Sequence, residues 1–295
     1  MGNARFLVIG ASGLVGRCLT DRLRKHGAFV VGTYASRPGA QLRRLDIMDP
    51  SQIGACLAET RPQAIFLTAA LTHVDYCEDH GEEARRINVL GPCRVAEHAR
   101  REGAKLVFYS TEYVFDGVDG PYDEEATPNP MSVYGRTKLE AENAILQIVP
   151  EALILRTTVV FGWDPESKNF AMQIYDRVQR GLEITVPHDQ LGSPTWVGFL
   201  ADVSLRLVEQ GVSGIVNVVG KDIVPRTEFA RALIKLFGGK PERVIPVSTA
   251  SLRQKAARPL RGGLQTGKLR ELLGQEPISL EESLQRLKLE WQQNL

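Results

Sequence analysis

The sequence of 295 residues has little cysteine and no long apolar run. Its four cysteines stand far apart, with no C-x-x-C pair and no histidine at zinc-ligand spacing, so we predict buried, inert thiols and no metal site. No apolar run approaches the roughly 20 residues of a membrane helix. The first apolar run follows Met1 so closely that no signal helix fits before it. These absences predict a cytoplasmic protein without a membrane partner.

An excess of charge of one sign is missing as well. The 36 Lys and Arg residues are balanced by 35 Asp and Glu residues, so no overall field attracts nucleic acid or an anionic membrane. Any bound anion must therefore be held by local groups. A hydrophobic content of 43% is ordinary for a globular protein, and the length predicts one large α/β domain with an appended lobe.

Short β-branched runs alternate with longer helical patterns over the first two thirds of the chain, which is typical of a parallel sheet built from βαβ units. Helices should begin after two capping residues, Asp49 and Ser132. From about residue 168 onward strands become sparse. We predict six strands, at 6–9, 29–33, 64–68, 105–109, 153–156 and 215–219.

The expected fold is therefore a Rossmann-type, doubly wound parallel α/β sheet with a smaller, mostly helical lobe. The sheet domain should cover residues 1–165, with a return segment near 196–222. The lobe should combine 166–195 with 223–295.

The segment from Gly10 to Gly16 joins a predicted strand to a predicted helix and has glycine at every third position. The first glycine permits a tight turn, Gly13 lets the backbone approach a pyrophosphate, and the last lets helix pack on strand. Backbone N–H groups at the helix start then hold the anion. The pattern predicts a dinucleotide site formed by Gly10, Ser12, Gly13, Leu14, Val15 and Gly16.

The second predicted strand indicates which dinucleotide is bound. NAD-specific sites carry an acid about twenty residues after the glycines, whereas NADP sites commonly carry an arginine. No Asp or Glu occurs from residue 29 to residue 45, and the strand runs into Ser36 and Arg37. A hydroxyl and a guanidinium would suit a 2′-phosphate. The sequence favours NADP, with NAD as the alternative.

Tyr134 and Lys138 stand four residues apart, on one face of a predicted helix. A phenol that donates a proton near neutral pH needs its pKa moved from ~10 toward ~7, about 4 kcal/mol. A cation about 4 Å away at an effective dielectric of ~20 supplies that much. We therefore predict that Lys138 lowers the pKa of Tyr134. A hydroxyl at the end of the fourth strand, Ser110 or Thr111, should complete the site.

Segments along nearly the whole chain are similar, in order, to the dTDP-4-dehydrorhamnose reductase family of extended short-chain dehydrogenases/reductases. They are GASGLVG at 10, LDIMD at 45, TAALTHVDYCE at 68, INVLGP at 87, STEYVFDG at 110, PYDEEATPNPMSVYGRTKLEAE at 121, LRTTVVFG at 155, DQLGSPT at 189 and RPLRGGLQTGKLRELLG at 258.

The resemblance implies hydride transfer from NADPH to C4 of a nucleotide-linked 4-keto-6-deoxysugar, in a homodimer. Tyr134 would protonate the new alkoxide, Lys138 would hold the nicotinamide ribose, and Thr111 would orient the carbonyl. The resemblance adds Asp46, Ile47, Ala69, Ala70 and Thr72 to the cofactor site, together with Tyr134 and Lys138. It implies a substrate site made of Thr72, Val74, Thr111, Glu112 and Tyr113 of the sheet domain and of Asn169, Ser193, Thr195 and Arg258 of the second lobe.

The sequence departs from the family pattern where Val159 replaces the usual tryptophan, and where Glu112 replaces an aspartate. Two alternatives therefore stay open. The sequence also resembles the regulatory subunit of methionine adenosyltransferase, which binds NADP and acts as a partner of that enzyme. Sugar-nucleotide epimerases and dehydratases are the third class, although the acid pair of the dehydratases is missing because Tyr113 follows Glu112.

Overall fold

A computed structural model describes residues 4–294. The strands, numbered in chain order, are β1 Arg5–Ile9, β2 Phe29–Tyr34, β3 Leu42–Arg44, β4 Ala64–Leu67, β5 Lys105–Thr111, β6 Leu153–Thr157, β7 Val160–Phe161, β8 Ile184–Pro187, β9 Leu191–Gly192, β10 Thr195–Trp196, β11 Gly214–Asn217, β12 Val224–Pro225 and β13 Val244–Val247. The α-helices are α1 Leu14–Lys25, α2 Pro50–Thr60, α3 Val74–Asp79, α4 Gly81–Arg85, α5 Gly91–Glu102, α6 Val133–Ile148, α7 Phe170–Gln179, α8 Val197–Glu209, α9 Arg226–Leu236, α10 Gly267–Leu273 and α11 Leu280–Gln292.

Seven parallel strands form the central sheet in the order β11-β6-β5-β4-β1-β2-β3. Apolar side chains cover both faces: Val8 and Phe66 pack on one side, and Leu7 and Ile65 on the other. The six predicted strands all belong to this sheet, which confirms the doubly wound fold. The edge strand β3 was not predicted, because its sequence, Leu-Arg-Arg, is neither apolar nor alternating.

Two predicted caps fix the starts of their helices. The Asp49 carboxylate accepts hydrogen bonds from the backbone N–H groups of Ser51 and Gln52, at 2.9 and 3.3 Å, and α2 begins at the next residue. Ser132 accepts from the backbone N–H of Gly135 at 3.1 Å and starts α6. This second cap places the tyrosine and lysine of α6 in its first two turns.

The remaining strands form three two-stranded sheets, β7 with β10, β9 with β12, and β8 with β13. Helices α7, α9 and α11 pack around an apolar cluster that contains Phe161, Phe229 and Leu287. The second lobe is thus helical with short strands, of which β9, β10 and β12 have only two residues and give no pattern in the sequence. Within residues 4–294, no helix has the length and apolar character needed to cross a membrane.

Candidate active site

The glycine turn after β1 is shaped by close approaches of the backbone. Gly10 has a φ of +95°, and a Cβ there would lie 2.7 Å from the backbone nitrogen of Ala69. A Cβ on Gly16 would lie 2.3 Å from the Gly10 carbonyl oxygen. A Cβ on Gly13, by contrast, would meet the protein no closer than 3.5 Å, and α1 starts there without a side-chain cap. The free helix start is suited to binding phosphate.

A cleft of about 660 Å³ lies in front of this turn. Arg37, Tyr134 and Lys138 line it. Six other residues predicted for the cofactor line it too, namely Gly13, Leu14, Val15, Gly16, Ala70 and Thr72. The cleft therefore brings together the glycine turn and the predicted catalytic pair.

Arg37 also borders a side cavity of about 290 Å³, together with Ser12, Arg17 and Arg24. Arg17 is paired with Asp164 and Glu166, at 3.2 and 2.7 Å. Sequence reasoning missed Arg24, whose guanidinium adds to the positive charge at this cavity.

Other predicted cofactor residues lie outside these cavity walls. Ser36 lies in the exposed bend after β2, and Asp46 is exposed after β3. Ile47 is buried and would contact a Cβ at Gly91, so its side chain packs against α5. Ala69 supports the Gly10 turn through its backbone.

Thr111 at the end of β5 and Tyr134 near the start of α6 line one cavity, and the Thr111 hydroxyl lies close enough to influence the titration of the phenol. One turn later, the Lys138 ammonium donates to the backbone carbonyl of Tyr109 at 2.6 Å and lies 3.8 Å from the centre of the Phe108 ring. The strand end and the helix thus bring the three predicted catalytic side chains together.

Burial, and not a neighbouring cation, dominates the titration of this pair. Burial raises the pKa of Tyr134 well above its ordinary value, while the hydroxyl of Thr111 opposes the rise. Burial lowers the pKa of Lys138 to about 7, against the opposing charge of Glu142. The prediction that Lys138 lowers the pKa of the phenol was therefore wrong, because burial disfavours the charged form of both groups.

A π-helical turn over Arg86–Leu90 positions the loop beside the pair. Asn88 in this turn accepts from the backbone N–H of Leu71 at 2.8 Å and donates to its carbonyl at 3.0 Å. It also donates to the hydroxyl of Thr137 at 3.3 Å. One buried amide thereby ties the loop that carries Thr72 to the helix of the catalytic pair. Such π-helical turns are frequent at functional sites.

A second cavity of about 340 Å³, here called the reaction cavity, opens from the cleft across Tyr134 and Thr72. Ser110, Thr157 and Val160 also line both spaces. The hydroxyls of Ser110 and Thr157 are buried and have no hydrogen-bond partner among residues 4–294. They can therefore bind polar groups of whatever occupies the junction.

The predicted substrate residues Glu112 and Tyr113 lie in the wall of the reaction cavity. Glu112 is bonded to the hydroxyl of Thr158 and accepts from the backbone N–H of Gly263 at 2.8 Å. Burial raises the pKa of this carboxyl. The ring of Tyr113 meets that of Tyr134 edge-on at 5.8 Å.

Val159 also lines the reaction cavity, with a φ of +45°. This conformation is strained for a β-branched residue, and such strain concentrates at functional sites.

A third cavity of about 760 Å³, here called the outer cavity, adjoins the reaction cavity along Thr72, Val74 and Tyr113. The predicted Arg258 lies in its wall and pairs with Asp75 at 3.0 Å.

Arg226 and Gln190 line both the reaction cavity and the outer cavity, and the sequence analysis missed both. Arg226 is the first residue of α9 and lies in none of the family-like segments. Gln190 precedes β9 inside the family-like segment at 189, whose similarity pointed to Ser193 and Thr195 instead.

The three other residues predicted to face the substrate lie elsewhere. Asn169 caps α7 through the backbone N–H of Ala171 at 3.1 Å and lines the cofactor cleft. Ser193 and Thr195 are fully buried behind the wall. Thr195 donates to the Ser193 carbonyl at 3.0 Å, so both hydroxyls hold backbone in place.

Comparison with known proteins agrees with this geometry. A family described as "RmlD substrate binding domain" matches residues 4–292. A probable low-salt glycan biosynthesis reductase of Haloferax volcanii is 32% identical, over 95% of this chain and 96% of that one. Methionine adenosyltransferase 2 subunit beta of Danio rerio is 31% identical, over 92% of this chain and 85% of that one. A crystal structure of dTDP-4-dehydrorhamnose reductase from Bacillus anthracis in complex with NADP has a TM-score of 0.89 and 32% identity, and covers 98% of this chain and 99% of that one.

Proposed function

The chain belongs to the RmlD substrate binding domain family, and on that premise we propose that it is an NADPH-dependent reductase of a nucleotide-linked 4-keto-6-deoxysugar. One observation carries the proposal. Tyr134 stands in the wall shared by the cofactor cleft and the reaction cavity, and Thr111 lines the reaction cavity beside it. A proton donor at this junction can reach a carbonyl that faces the nicotinamide.

The cleft fits a dinucleotide. A Cβ at Gly10 or Gly16 would collide with backbone, whereas Gly13 leaves room for a pyrophosphate at the start of α1. The unpartnered hydroxyls of Ser110 and Thr157 are suited to the polar groups of the nicotinamide end. When bound, NADPH supplies the hydride of the reduction.

Arg37 supports NADPH over NADH, because it lines both the cleft and the side cavity, where Arg24 adds a second guanidinium opposite Asp21 and Glu166. The Bacillus anthracis relative binds NADP. NAD remains the alternative cofactor.

Tyr134 donates its proton to the oxygen that becomes the hydroxyl at C4. Because burial raises the pKa of Tyr134, the phenol is protonated at neutral pH, which is the form that reduction requires. Thr111 orients the carbonyl through its own hydroxyl. Lys138 stabilises the phenolate that remains after proton transfer, and it would hold the nicotinamide ribose when the cofactor is bound.

We place the sugar in the reaction cavity and the nucleotide in the outer cavity, beside Arg258. Segments 166–195 and 223–295 then form the substrate lobe against the cofactor domain. Asn169, Ser193 and Thr195 support this lobe from behind. Val159 is smaller than the tryptophan that the family usually has at this position, so more of the reaction cavity is open to the substrate. The preferred sugar can therefore differ from that of other family members.

The test is consumption of NADPH with dTDP-4-keto-6-deoxyglucose, in the presence and absence of the 3,5-epimerase that precedes the family's reductases. The wild-type protein should oxidise NADPH, and Tyr134→Phe should lower the rate by 10²-fold or more. Equal rates for the two proteins would remove the proposed reaction. Comparison of sugars and bases then gives the preferred substrate.

The likeness to methionine adenosyltransferase 2 subunit beta favours a second candidate function, that of a regulatory partner. Such a subunit would bind NADP in the same cleft without turnover. Co-purification with a methionine adenosyltransferase from the native cell, with no NADPH consumption on any keto-sugar, would establish this candidate in place of the reductase.

A further inference from the structure

Arg226 is a half-buried cation without a partner. Its guanidinium makes no hydrogen bond and no ion pair with any side chain or backbone group of residues 4–294. It lies 4.1 Å from the centre of the Phe170 ring. Burial lowers the pKa of Arg226, so the charged form gains too little from its surroundings to offset the loss of water.

Other buried arginines of the described chain do have partners. Arg156, almost fully inaccessible, pairs with Glu142 at 2.7 Å, and Arg258 pairs with Asp75 at 3.0 Å. A buried charge without a partner is costly. The unpaired guanidinium of Arg226 is therefore better explained by binding of an external anion than by a role in the internal structure.

The charges around Arg226 leave room for an anion. Glu112 and Tyr113 face it from the end of β5, but the Glu112 carboxylate is already bonded to Thr158 and Gly263. Arg258 faces it with a like charge. Two guanidiniums thus meet at the boundary between the reaction cavity and the outer cavity.

We infer that Arg226, together with Arg258, binds the diphosphate of the substrate. This assignment rests on the proposed function, in which the sugar lies in the reaction cavity and the nucleotide in the outer cavity. The group that joins them must pass the wall that both cavities share, where Arg226 lies. A planar guanidinium can donate two parallel hydrogen bonds to phosphate oxygens.

The experiment measures binding of inorganic pyrophosphate, dTDP and dTMP by calorimetry to the wild-type protein and to Arg226→Gln and Arg226→Lys. Arg226→Gln should weaken dTDP and pyrophosphate binding about 10- to 100-fold, the range for a hydrogen-bonded charged pair. Binding of dTMP should change much less. The affinity of Arg226→Lys for dTDP should lie between those of the wild-type protein and Arg226→Gln. Lysine keeps the positive charge but cannot donate two parallel hydrogen bonds to the phosphate oxygens.

Arg231→Gln is the matched control, since Arg231 is exposed on the same helix and should leave every affinity unchanged. Arg226→Gln should unfold close to the wild-type temperature, because it breaks no hydrogen bond or ion pair and the lost contact with the Phe170 ring is offset by removal of a desolvated charge. A purely structural role would lower that temperature without selective loss of diphosphate binding, and this result would overturn the assignment.

UDP-glucose and UDP-glucuronate separate two sources of negative charge. If Arg226→Gln weakens the binding of UDP-glucose and UDP-glucuronate equally, Arg226 binds the diphosphate that the two share. If it weakens UDP-glucuronate alone, a sugar carboxylate is the ligand and the diphosphate assignment is wrong.

Measurements of anion binding and of NADPH oxidation test the anion site and the proposed reaction separately. Loss of dTDP affinity in Arg226→Gln beside a wild-type protein that oxidises no NADPH would keep the anion site and remove the reductase. An active wild-type protein, with unchanged dTDP affinity in Arg226→Gln, would remove the anion site alone. A wild-type protein that binds none of these anions would also remove it.

Discussion

Replacing Lys138 by methionine should stabilise the protein at neutral and acidic pH while abolishing its activity. The Lys138 side chain is buried, and its pKa is lowered from 10.5 to about 7. One pKa unit corresponds to about 1.4 kcal/mol, so burial of the charged form costs about 5 kcal/mol. The variant also loses the hydrogen bond to the Tyr109 carbonyl, which costs about 1 to 3 kcal/mol. We therefore expect a net gain of about 2 to 4 kcal/mol at pH 6.

The sign of the pH dependence is fixed by proton binding. Between pH 7 and pH 10.5 the unfolded chain holds the Lys138 proton while the folded protein has released it, so wild-type stability rises with pH over this window. The advantage of Lys138→Met should therefore shrink by several kcal/mol across it.

Urea denaturation of both proteins at pH 6, 8 and 10 measures this difference. The exposed Lys235→Met serves as control and should change stability by no more than about 0.5 kcal/mol. If the free energies of unfolding of the wild-type protein and Lys138→Met differ by the same amount at all three pH values, the reasoning is refuted.

Three further outcomes follow from the geometry. Thr111→Val removes the hydroxyl that opposes the raised pKa of Tyr134 and that is proposed to orient the carbonyl, so kcat should fall about 10- to 100-fold. NADPH affinity should change little, as fluorescence titration can check. Arg37→Glu should weaken NADPH binding at least about 10-fold relative to NADH binding. If the ratio of the two affinities is unchanged, Arg37 does not select NADPH. Glu142→Gln leaves the buried guanidinium of Arg156 without its carboxylate and should cost about 3 to 5 kcal/mol in urea unfolding. A loss below about 1 kcal/mol would mean that water reaches this pair.

The central sheet could be predicted from the sequence because its strands are buried on both faces and therefore continuously apolar, as in Ala64–Leu67. Helix starts could be predicted where a side chain forms the cap, as at Asp49 and Ser132. Strand β3 could not, because Leu-Arg-Arg is neither apolar nor alternating, and the two-residue strands β9 and β12 could not, because each depends on a partner more than 30 residues away.

Those residues of the candidate site that belong to recognisable sequence motifs could be predicted. Thr111, Tyr134 and Lys138 come together as expected, but burial, which no local pattern reveals, reverses the expected shift of the tyrosine pKa. Similarity of segment 189–195 to the family pointed to Ser193 and Thr195. The path of the backbone instead turns Gly192 and Pro194 into the cavity wall. Arg226 reaches the site only through the tertiary fold.

The most direct test of the account follows deuterium from 4-deuterated NADPH in a single turnover with a nucleotide-linked 4-keto-6-deoxysugar. We predict that one deuterium appears at C4 of the sugar with the wild-type protein, and far more slowly with Tyr134→Phe, although both bind NADPH equally. Deuterium that stays on the cofactor, or transfer at the same rate in both proteins, would contradict the assignment of Tyr134 as the proton donor between the cleft and the reaction cavity.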